Sequence, residues 1–461
     1  MIKNIPNTQG YYTCNQELII QGTPESLALI KNYLTIKNKA IDKRLKELKR
    51  TSAFNAKHAH ILKQQIKELE EQLVTKAYAE VEEGISTLPG FWFLCNKIEG
   101  HAASTKAITF GDERYYQLES VETALQYKRS CIVAATGVGK SRIIRNLAAS
   151  HVAQGRRVIV IVPSIELLHQ TYKTVVSGMD KIGCKKVGKL GGGTTPPDGV
   201  MCLVSTAQSC LNYIDRFQTI IVDETHTMAA PSYQDIAIAG INAEFFHGLT
   251  ATIERPDGMT PLIYGWAGAP VYVYQYSDGV RDGFLSPVKY IPKVVPTCSV
   301  KTSKNMHSTK EYIKLHSDPE YIKFVKETTE KALAANRKVL VLFKSVECAN
   351  ALASALGTEA ANGEYRLPIK KFKDGNTNVL IGNWHLLGTG IDLPEISAIL
   401  LCMASTSEIM LMQAIGRGTR ICEGKKDCVV IDVSPNHAKY INQLIRRDEI
   451  VRSFGIDSVG L

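Results

Sequence analysis

The sequence predicts an α/β protein with two tandem parallel-sheet domains, helices on both sheet faces, and a small α+β domain in front of them. Three observations carry this. Short β-branched runs alternate with helical segments from about Ile108; a second such series follows a junction rich in Gly, Pro and Asp; and the N-terminal part is charge-rich and patterned differently. The first series is "SCIVAA", "RRVIVIVP", "VMCLVS", "QTIIVDE" and "FFHGLTA". These runs have β-branched or other apolar centres without a regular polar alternation. Strands of that kind are buried on both faces, which calls for a parallel sheet with crossover helices. The second series is "KVLVLFKS", "NVLIGN", "ISAILLC" and "CVVIDV", and "SDGVRDGFLSPVKYIPKVVP" lies between the two. The expected domains are residues 1–105, 106–288 and 289–461.

In the first of these, Pro24 to about Glu83 reads as helix. Leu34, Ile41, Leu45 and Leu48, then Leu62, Ile66, Leu69 and Leu73, recur at helical spacing, with a break near Thr51 to Asn55. A helical hairpin or short coiled-coil pair is expected. Lys31, Lys37, Lys39, Lys43, Arg44, Lys46, Lys49, Arg50 and Lys57 make one half basic; Glu68, Glu70, Glu71, Glu80, Glu82 and Glu83 make the other acidic. Two readings stand: the halves pair in solvent, or the basic helix contacts a DNA backbone. "QELIIQG" and "FWFLCNK" read as flanking strands.

Composition bounds the function. The 461 residues are 44% hydrophobic and 22% charged, the balance of a soluble globular chain. No apolar run approaches the roughly 20 residues that span a bilayer, and "MIKNIPNTQGYY" lacks the apolar core of a secretion signal, so a cytoplasmic protein without a membrane partner is expected. Eleven cysteines without a CxxC pair, and histidines without HExxH spacing, argue against a disulfide framework or a zinc site. The net charge of +10 favours a polyanionic partner.

The chemistry starts at "CIVAATGVGKSRII", residues 131–144, where a strand passes through a glycine-containing loop into a helix. Such a loop turns backbone N–H groups toward an anionic phosphate, and the helix N-terminus adds positive potential. Thr136, Gly137, Val138 and Gly139 form the loop; Lys140 reaches the β- and γ-phosphates of ATP; Ser141 holds Mg2+. Ala134 stands where the usual pattern has its first glycine. A phosphate loop needs a second carboxylate site, and "QTIIVDETH" supplies Asp223 for the metal and Glu224 to orient and deprotonate the attacking water.

Together these residues resemble the superfamily 2 DExH-type helicases, and further motifs follow in order over about residues 108–435. "DERYYQLESVE" resembles the Q-type motif, which implies adenine contact by Gln117 with Arg114 near the base. "VPSIELLHQ" and "VSTAQS" resemble motifs Ia and Ib, which implies nucleic-acid contact by Pro163, Ser164, Gln170, Ser205 and Thr206. "GLTATIERPDG" resembles motif III, which implies that Thr250 and Thr252 couple ATP state to the strand. "VLVLFKS" resembles motif IV, with Lys344 on nucleic acid. "LLGTGIDLP" resembles motif V, with Gly390 and Asp392 near the ribose. "QAIGRGTR" resembles motif VI, with Gln413 in the catalytic set and Arg417 and Arg420 as arginine fingers. The resemblance implies two RecA-like domains. The layout is most like phage helicases of the UvsW type, which implies ATP-dependent unwinding or remodelling of branched DNA (forks, displacement loops, Holliday junctions) by a monomer. A duplex translocase that separates no strands and an RNA helicase remain as alternatives.

Overall fold

In a computed structural model the protein is described over residues 3–13, 16–52, 67, 70, 74–82, 84–255, 257–296, 308–387 and 393–460. It forms two compact units, Met1–Ala134 with Gly139–Val273, and Ala135–Val138 with Tyr274–Leu461.

The N-terminal part of the first unit is built on strands β1 (Ile5–Tyr12), β2 (Leu18–Gly22), β3 (Thr35–Lys37), β4 (Val74–Lys76), β5 (Tyr78–Val81), β6 (Gly84–Thr87) and β7 (Cys95–Ile98). Five of them form a sheet in the order β5-β6-β2-β1-β7, and β3 pairs with β4 in a separate antiparallel ribbon. Helix Pro24–Leu34 opens with a capping Thr23 hydroxyl that accepts from Ser26 N, and has Pro24 in its first turn, where a missing N–H costs nothing. A second helix, Lys39–Ser52, begins after Asn38, whose side chain accepts from Ile41 N at 3.1 Å.

These elements correct part of the helical reading. The run is broken at Thr35–Lys37, and residues 74–81, expected as helix, are β4 and β5. Glu80 and Glu82 therefore lie on a strand and its turn, not on an acidic helix. Charge density suggests helix, but β-branched and aromatic Val74, Thr75, Tyr78 and Val81 favour the extended chain. Most of the expected second helix, residues 62–73, lies outside the described residues. "FWFLCNK" is also revised: Pro89–Leu94 is a 3-10 turn and the strand starts at Cys95.

The first α/β sheet holds β8 (Arg129–Ala134), β9 (Val158–Val162), β10 (Val187–Leu190), β11 (Cys202–Thr206), β12 (Thr219–Asp223), β13 (Phe245–Thr250) and β14 (Pro270–Tyr274), ordered β10-β11-β9-β12-β13-β8-β14. Pairing is parallel from β10 through β8. The N-terminal sheet shares its core. Ile5, Leu18, Ile20, Ile85, Phe91 and Phe93 pack in one cluster with Cys131, Ile263, Tyr264 and Trp266. The approach is so close that a Cβ on Gly90 would sit 2.1 Å from Tyr264 O.

The second unit has β15 (Val288–Val294), β16 (Val339–Phe343), β17 (Ala360–Ala361), β18 (Val379–Asn383), β19 (Ala398–Cys402), β20 (Cys428–Ser434) and β21 (Asp457–Ser458), all parallel, ordered β17-β18-β16-β19-β20-β15-β21. The expected junction is itself structured: it contains helix Tyr276–Arg281 and β15. The fold class is thus two parallel-sheet α/β domains with an α+β N-terminal region. Of the nine described cysteines, all free, seven are buried. Among the described residues no helix is long and apolar enough to cross a membrane, and no group of three or more His, Cys, Asp and Glu side chains is placed to hold a metal ion.

A buried ion pair locks the end of the chain. Arg447 donates to both carboxylate oxygens of Asp432, at 2.6 and 2.8 Å, and to Ser405 O at 3.0 Å; the Tyr290 hydroxyl donates to the same carboxylate. Both ion-pair side chains are essentially inaccessible. Asp432→Ala strands the guanidinium, so denaturant unfolding of the second unit should show a loss of about 3–5 kcal/mol. A second prediction concerns pH. Burial holds the imidazoles of His101, His247 and His316 down at about 3. The unfolded chain takes up those protons near pH 6.5 and the folded chain does not. Stability should fall as pH drops from about 6.5 toward 3, seen as a falling thermal midpoint.

Candidate active site

The parallel strands end on one side of the first sheet, and the first unit's motif residues that follow or close β8, β9, β11, β12 and β13 lie at those carboxyl ends, where α/β sheets bind ligands. β8 ends at Ala134; helix Lys140–Ala153 starts shortly after it, with Gly139 as its N-cap at φ +88° and Gly137 at φ +92°. Ala134 is still in the strand, so its backbone is one any residue adopts and glycine is not needed there. Gly139 is different, because a Cβ would lie 2.6 Å from Gln117 Nε2. The loop residues Thr136 to Val138 group with the second unit.

Lys140 Nζ lies 3.4 Å from Glu224 Oε1, with both side chains largely buried. β12 delivers Asp223 at its last position, and Glu224 follows in the left-handed conformation at φ +52°. The Asp223 carboxylate accepts from Glu224 N at 3.0 Å. On its other side Glu224 Oε2 lies 3.3 Å from His226 Nδ1, which is 3.1 Å from Thr250 Oγ1 at the end of β13. Thr250 Oγ1 in turn donates to Thr252 O at 2.6 Å. An unbroken polar line therefore runs Lys140–Glu224–His226–Thr250–Thr252. The two carboxylates are pushed apart. Burial and then the Glu224 charge raise Asp223; burial would also raise Glu224, but Lys140 and His226 outweigh it and hold it low, as a carboxylate.

The Q-type segment is fastened to the loop's helix. Arg145 donates to Asp112 at 2.9 and 2.7 Å and to Glu113 at 3.0 Å, and its guanidinium lies 4.5 Å over the Phe110 ring. Glu113 also accepts from Asn146 and from Phe110 N and Gly111 N. This sets Arg114, the N-cap of helix Tyr115–Ala124, and Gln117, whose side-chain oxygen accepts from Arg114 N at 3.0 Å. Asp112, Glu113, Arg145 and Asn146 are functional supports that the sequence does not single out. His226 and Arg255, whose Nη1 donates to His226 O at 2.8 Å, stand within the motifs but carry no role in the sequence reading.

Motifs Ia and Ib lie side by side at the ends of neighbouring strands, since Ser205 and Thr206 on β11 register with Ile161 and Val162 on β9. Pro163 follows β9; the Ser164 hydroxyl caps helix Ile165–Lys181 by accepting from Leu167 N; Gln170 is exposed. Ser205 and Thr206 are buried, with hydroxyls on Thr206 O and Ser209 Oγ. In the second unit Lys344 is exposed just after β16. Gln413 and the buried Arg417 lie on helix Glu408–Gly418, and Arg420 follows it. Lys425 Nζ donates to Pro394 O, Gly418 O and Arg420 O at 3.2, 2.7 and 2.7 Å, fixing the backbone that carries Arg420. Gly390 and Asp392 lie outside the described residues.

The residues present fit a nucleoside triphosphate: left-handed glycines, one of them packed against the Gln117 side-chain amide, open a 14-residue helix beside a largely buried lysine. Ser141 and Asp223 carry the hard oxygen donors that Mg2+ takes. This is a P-loop nucleotide-binding protein with a second parallel-sheet domain. Residues 111–255 match the family of the type III restriction enzyme res subunit, and residues 322–422 match the helicase conserved C-terminal domain. The chain belongs to superfamily 2 of the helicases.

It is 31% identical over 234 residues to a Schizosaccharomyces pombe protein named as a candidate mitochondrial ATP-dependent helicase, irc3, covering 47% of this chain and 38% of that one. It is 21% identical over 375 residues to the ATP-dependent DNA helicase uvsW of Enterobacteria phage T4, covering 76% and 74%. The chain spans about half or less of the length of several curated relatives it matches. Among solved structures, a fragment of a candidate HsdR subunit of a type I restriction enzyme from Vibrio vulnificus YJ016 shares the fold, with a TM-score of 0.55 and 22% identity over 71% of this chain and 65% of that one.

Two substitutions separate the loop's glycines. Gly139→Ala meets both the Gln117 side chain and an unfavourable φ, so titration with a fluorescent ATP analogue should show affinity about tenfold weaker or worse. Ala134→Gly should leave that affinity within about twofold, since the strand position gains nothing from glycine.

Proposed function

We propose that the protein is an ATP-dependent DNA helicase or translocase that unwinds or remodels branched DNA. The observation that supports this best is the polar line from Lys140 through Glu224 and His226 to Thr250 and Thr252. A site that only bound nucleotide would not need its phosphate-facing lysine tied to the end of a neighbouring strand. A motor does, because the state of the phosphates must be felt elsewhere.

In this reading Thr136 to Gly139 cradle the phosphates with backbone N–H groups and Lys140 neutralises them. Ser141 and Asp223 would hold Mg2+, which would supply positive charge to offset that of the phosphates. Glu224, kept ionised, orients the attacking water and accepts its proton. Arg417 and Arg420 stabilise charge on the transferring group, a role worth about 10³–10⁵ in rate, and Gln413 stands beside Arg417 in the same helix. Gln117 and Arg114 take the adenine end; Gly390 and Asp392 take the ribose. Pro163, Ser164, Gln170, Ser205, Thr206 and Lys344 serve the nucleic acid, through backbone as well as side chains where the hydroxyls are buried.

The branched substrate is supported by the likeness to the phage T4 helicase over three quarters of both chains and by the exposed cationic face of helix Lys39–Ser52, with Lys43, Arg44 and Lys46 in solvent. A duplex translocase is the second reading, favoured by the match to the restriction res-subunit family.

The deciding experiment compares ATP-driven unwinding of a synthetic four-way junction with that of a plain tailed duplex, beside triplex displacement. Junction unwinding should be faster, and Glu224→Gln should abolish it while ATP still binds. Equal rates on the two substrates would remove the branch preference. Triplex displacement without strand separation would establish the translocase. Stimulation of ATP turnover by RNA alone would overturn DNA as the partner.

A further inference from the structure

The loop after Thr252 makes contacts that the motor reading does not use. Arg255 forms a two-point ion pair with Asp257, Nε to Oδ1 at 3.1 Å and Nη2 to Oδ2 at 2.6 Å, while its remaining nitrogen, Nη1, donates to His226 O at 2.8 Å. The Asp257 carboxylate also accepts from Met259 N, and Arg255 N donates to Thr260 Oγ1, so the loop is tied at both ends. The far side of Asp257 is held by the N-terminal region, where its backbone carbonyl accepts from Lys39 N at 2.8 Å. Gly258 lies so close to that segment that a Cβ would be 3.0 Å from Lys37 O. An apolar contact runs in parallel. Ile36 of β3 packs with Met259 and Leu262, and against Ala229, three residues after His226.

We propose that Arg255 and Asp257 are positioning residues for the Glu224–His226 pair, and that the N-terminal arm, β3 with the first turn of helix Lys39–Ser52, is the brace that holds them. The inference rests on the proposed ATP-hydrolysing role of Glu224. Its physical basis is that a residue at positive φ, such as Glu224, persists only where its surroundings over-determine it. Here the segment just beyond Glu224 is gripped at the His226 carbonyl by a guanidinium whose own position is fixed by Asp257. Without the arm, Asp257 keeps its ion pair and its Met259 N contact but loses its backbone anchor on Lys39 N.

Lys39 allows a clean test, because it is the first helical residue after the Asn38 cap. Proline is tolerated at that position and lacks only the N–H. Lys39→Pro therefore deletes the bond to Asp257 O, whereas Lys39→Ala removes the charge and keeps the bond. Steady-state ATP hydrolysis of the full chain, without nucleic acid, should show kcat down about fivefold in Lys39→Pro with the KM for ATP unchanged, and both parameters unchanged in Lys39→Ala. Wild-type kcat in both variants overturns the proposal; an equal loss in both assigns the effect to charge and overturns it too. If Lys39→Pro unfolds, Arg255→Lys decides. It keeps the cation but not the two-point fork, so it should lower kcat and spare KM, and an unchanged kcat refutes the positioning role. If wild type hydrolyses ATP but DNA does not stimulate it, the DNA function fails while the kcat comparison stands.

Discussion

The structure of the first unit depends on how two adjacent buried carboxylates are kept apart in character. In an extended strand Asp223 and Glu224 would point to opposite faces. The left-handed turn at Glu224 breaks that alternation and brings its carboxylate to Lys140. A non-glycine residue held there costs about 1–3 kcal/mol. The Lys140 ion pair and the His226 contact offset that cost, and they also resolve the electrostatic conflict. Glu224 stays ionised beside a cation, and Asp223, deeper and next to a negative charge, is raised.

That arrangement needs a loop whose position does not drift, and the preceding segment provides it. Arg145 sits on the inner face of the phosphate-loop helix with its guanidinium shared by Asp112 and Glu113 and stacked on Phe110. Truncating Arg145 would leave Glu113 buried without its cation, a costlier loss than that of an exposed pair. The same fastening brings Gln117 against Gly139. The segment that resembles an adenine-recognition motif is therefore packed directly against the glycine loop, so a change at Gln117 is felt at Gly139.

Much of this site was legible because its chemistry demands particular residue types at adjacent positions. A glycine loop followed by lysine, and an apolar strand ending in Asp-Glu, are short-range patterns. The parallel-sheet strands were legible for a similar reason, since burial on both faces leaves runs such as "VIVIV" with no polar residue. The supporting pairs were not. Arg145 meets Asp112 across 33 positions, and Asp432 finds Arg447 through a helix crossing and Tyr290 through a strand pairing. Nothing in a one-dimensional string marks which arginine will be buried. Ser164 shows the converse. Its motif position suggests nucleic acid, yet its hydroxyl serves the helix beneath as a cap.

The N-terminal region shows why composition misleads about autonomy. Its charge pattern suggests an accessory domain with a solvent-facing hairpin, separable from the α/β sheet after it. Its sheet instead buries Phe91 and Phe93 against Tyr264 and shares one apolar cluster with Cys131, Ile263 and Trp266. Trp92 Nε1 donates to Arg129 O at the start of β8, the strand that leads into the phosphate loop. Two large aromatic side chains account for about 1.5–3 kcal/mol of burial each. Deleting the region would thus expose the flank of the nucleotide-binding sheet and remove the brace on Asp257 together. Loss of activity on such a deletion would not distinguish a missing DNA contact from a loosened catalytic sheet, whereas single changes within the arm, which leave the shared core in place, separate the two.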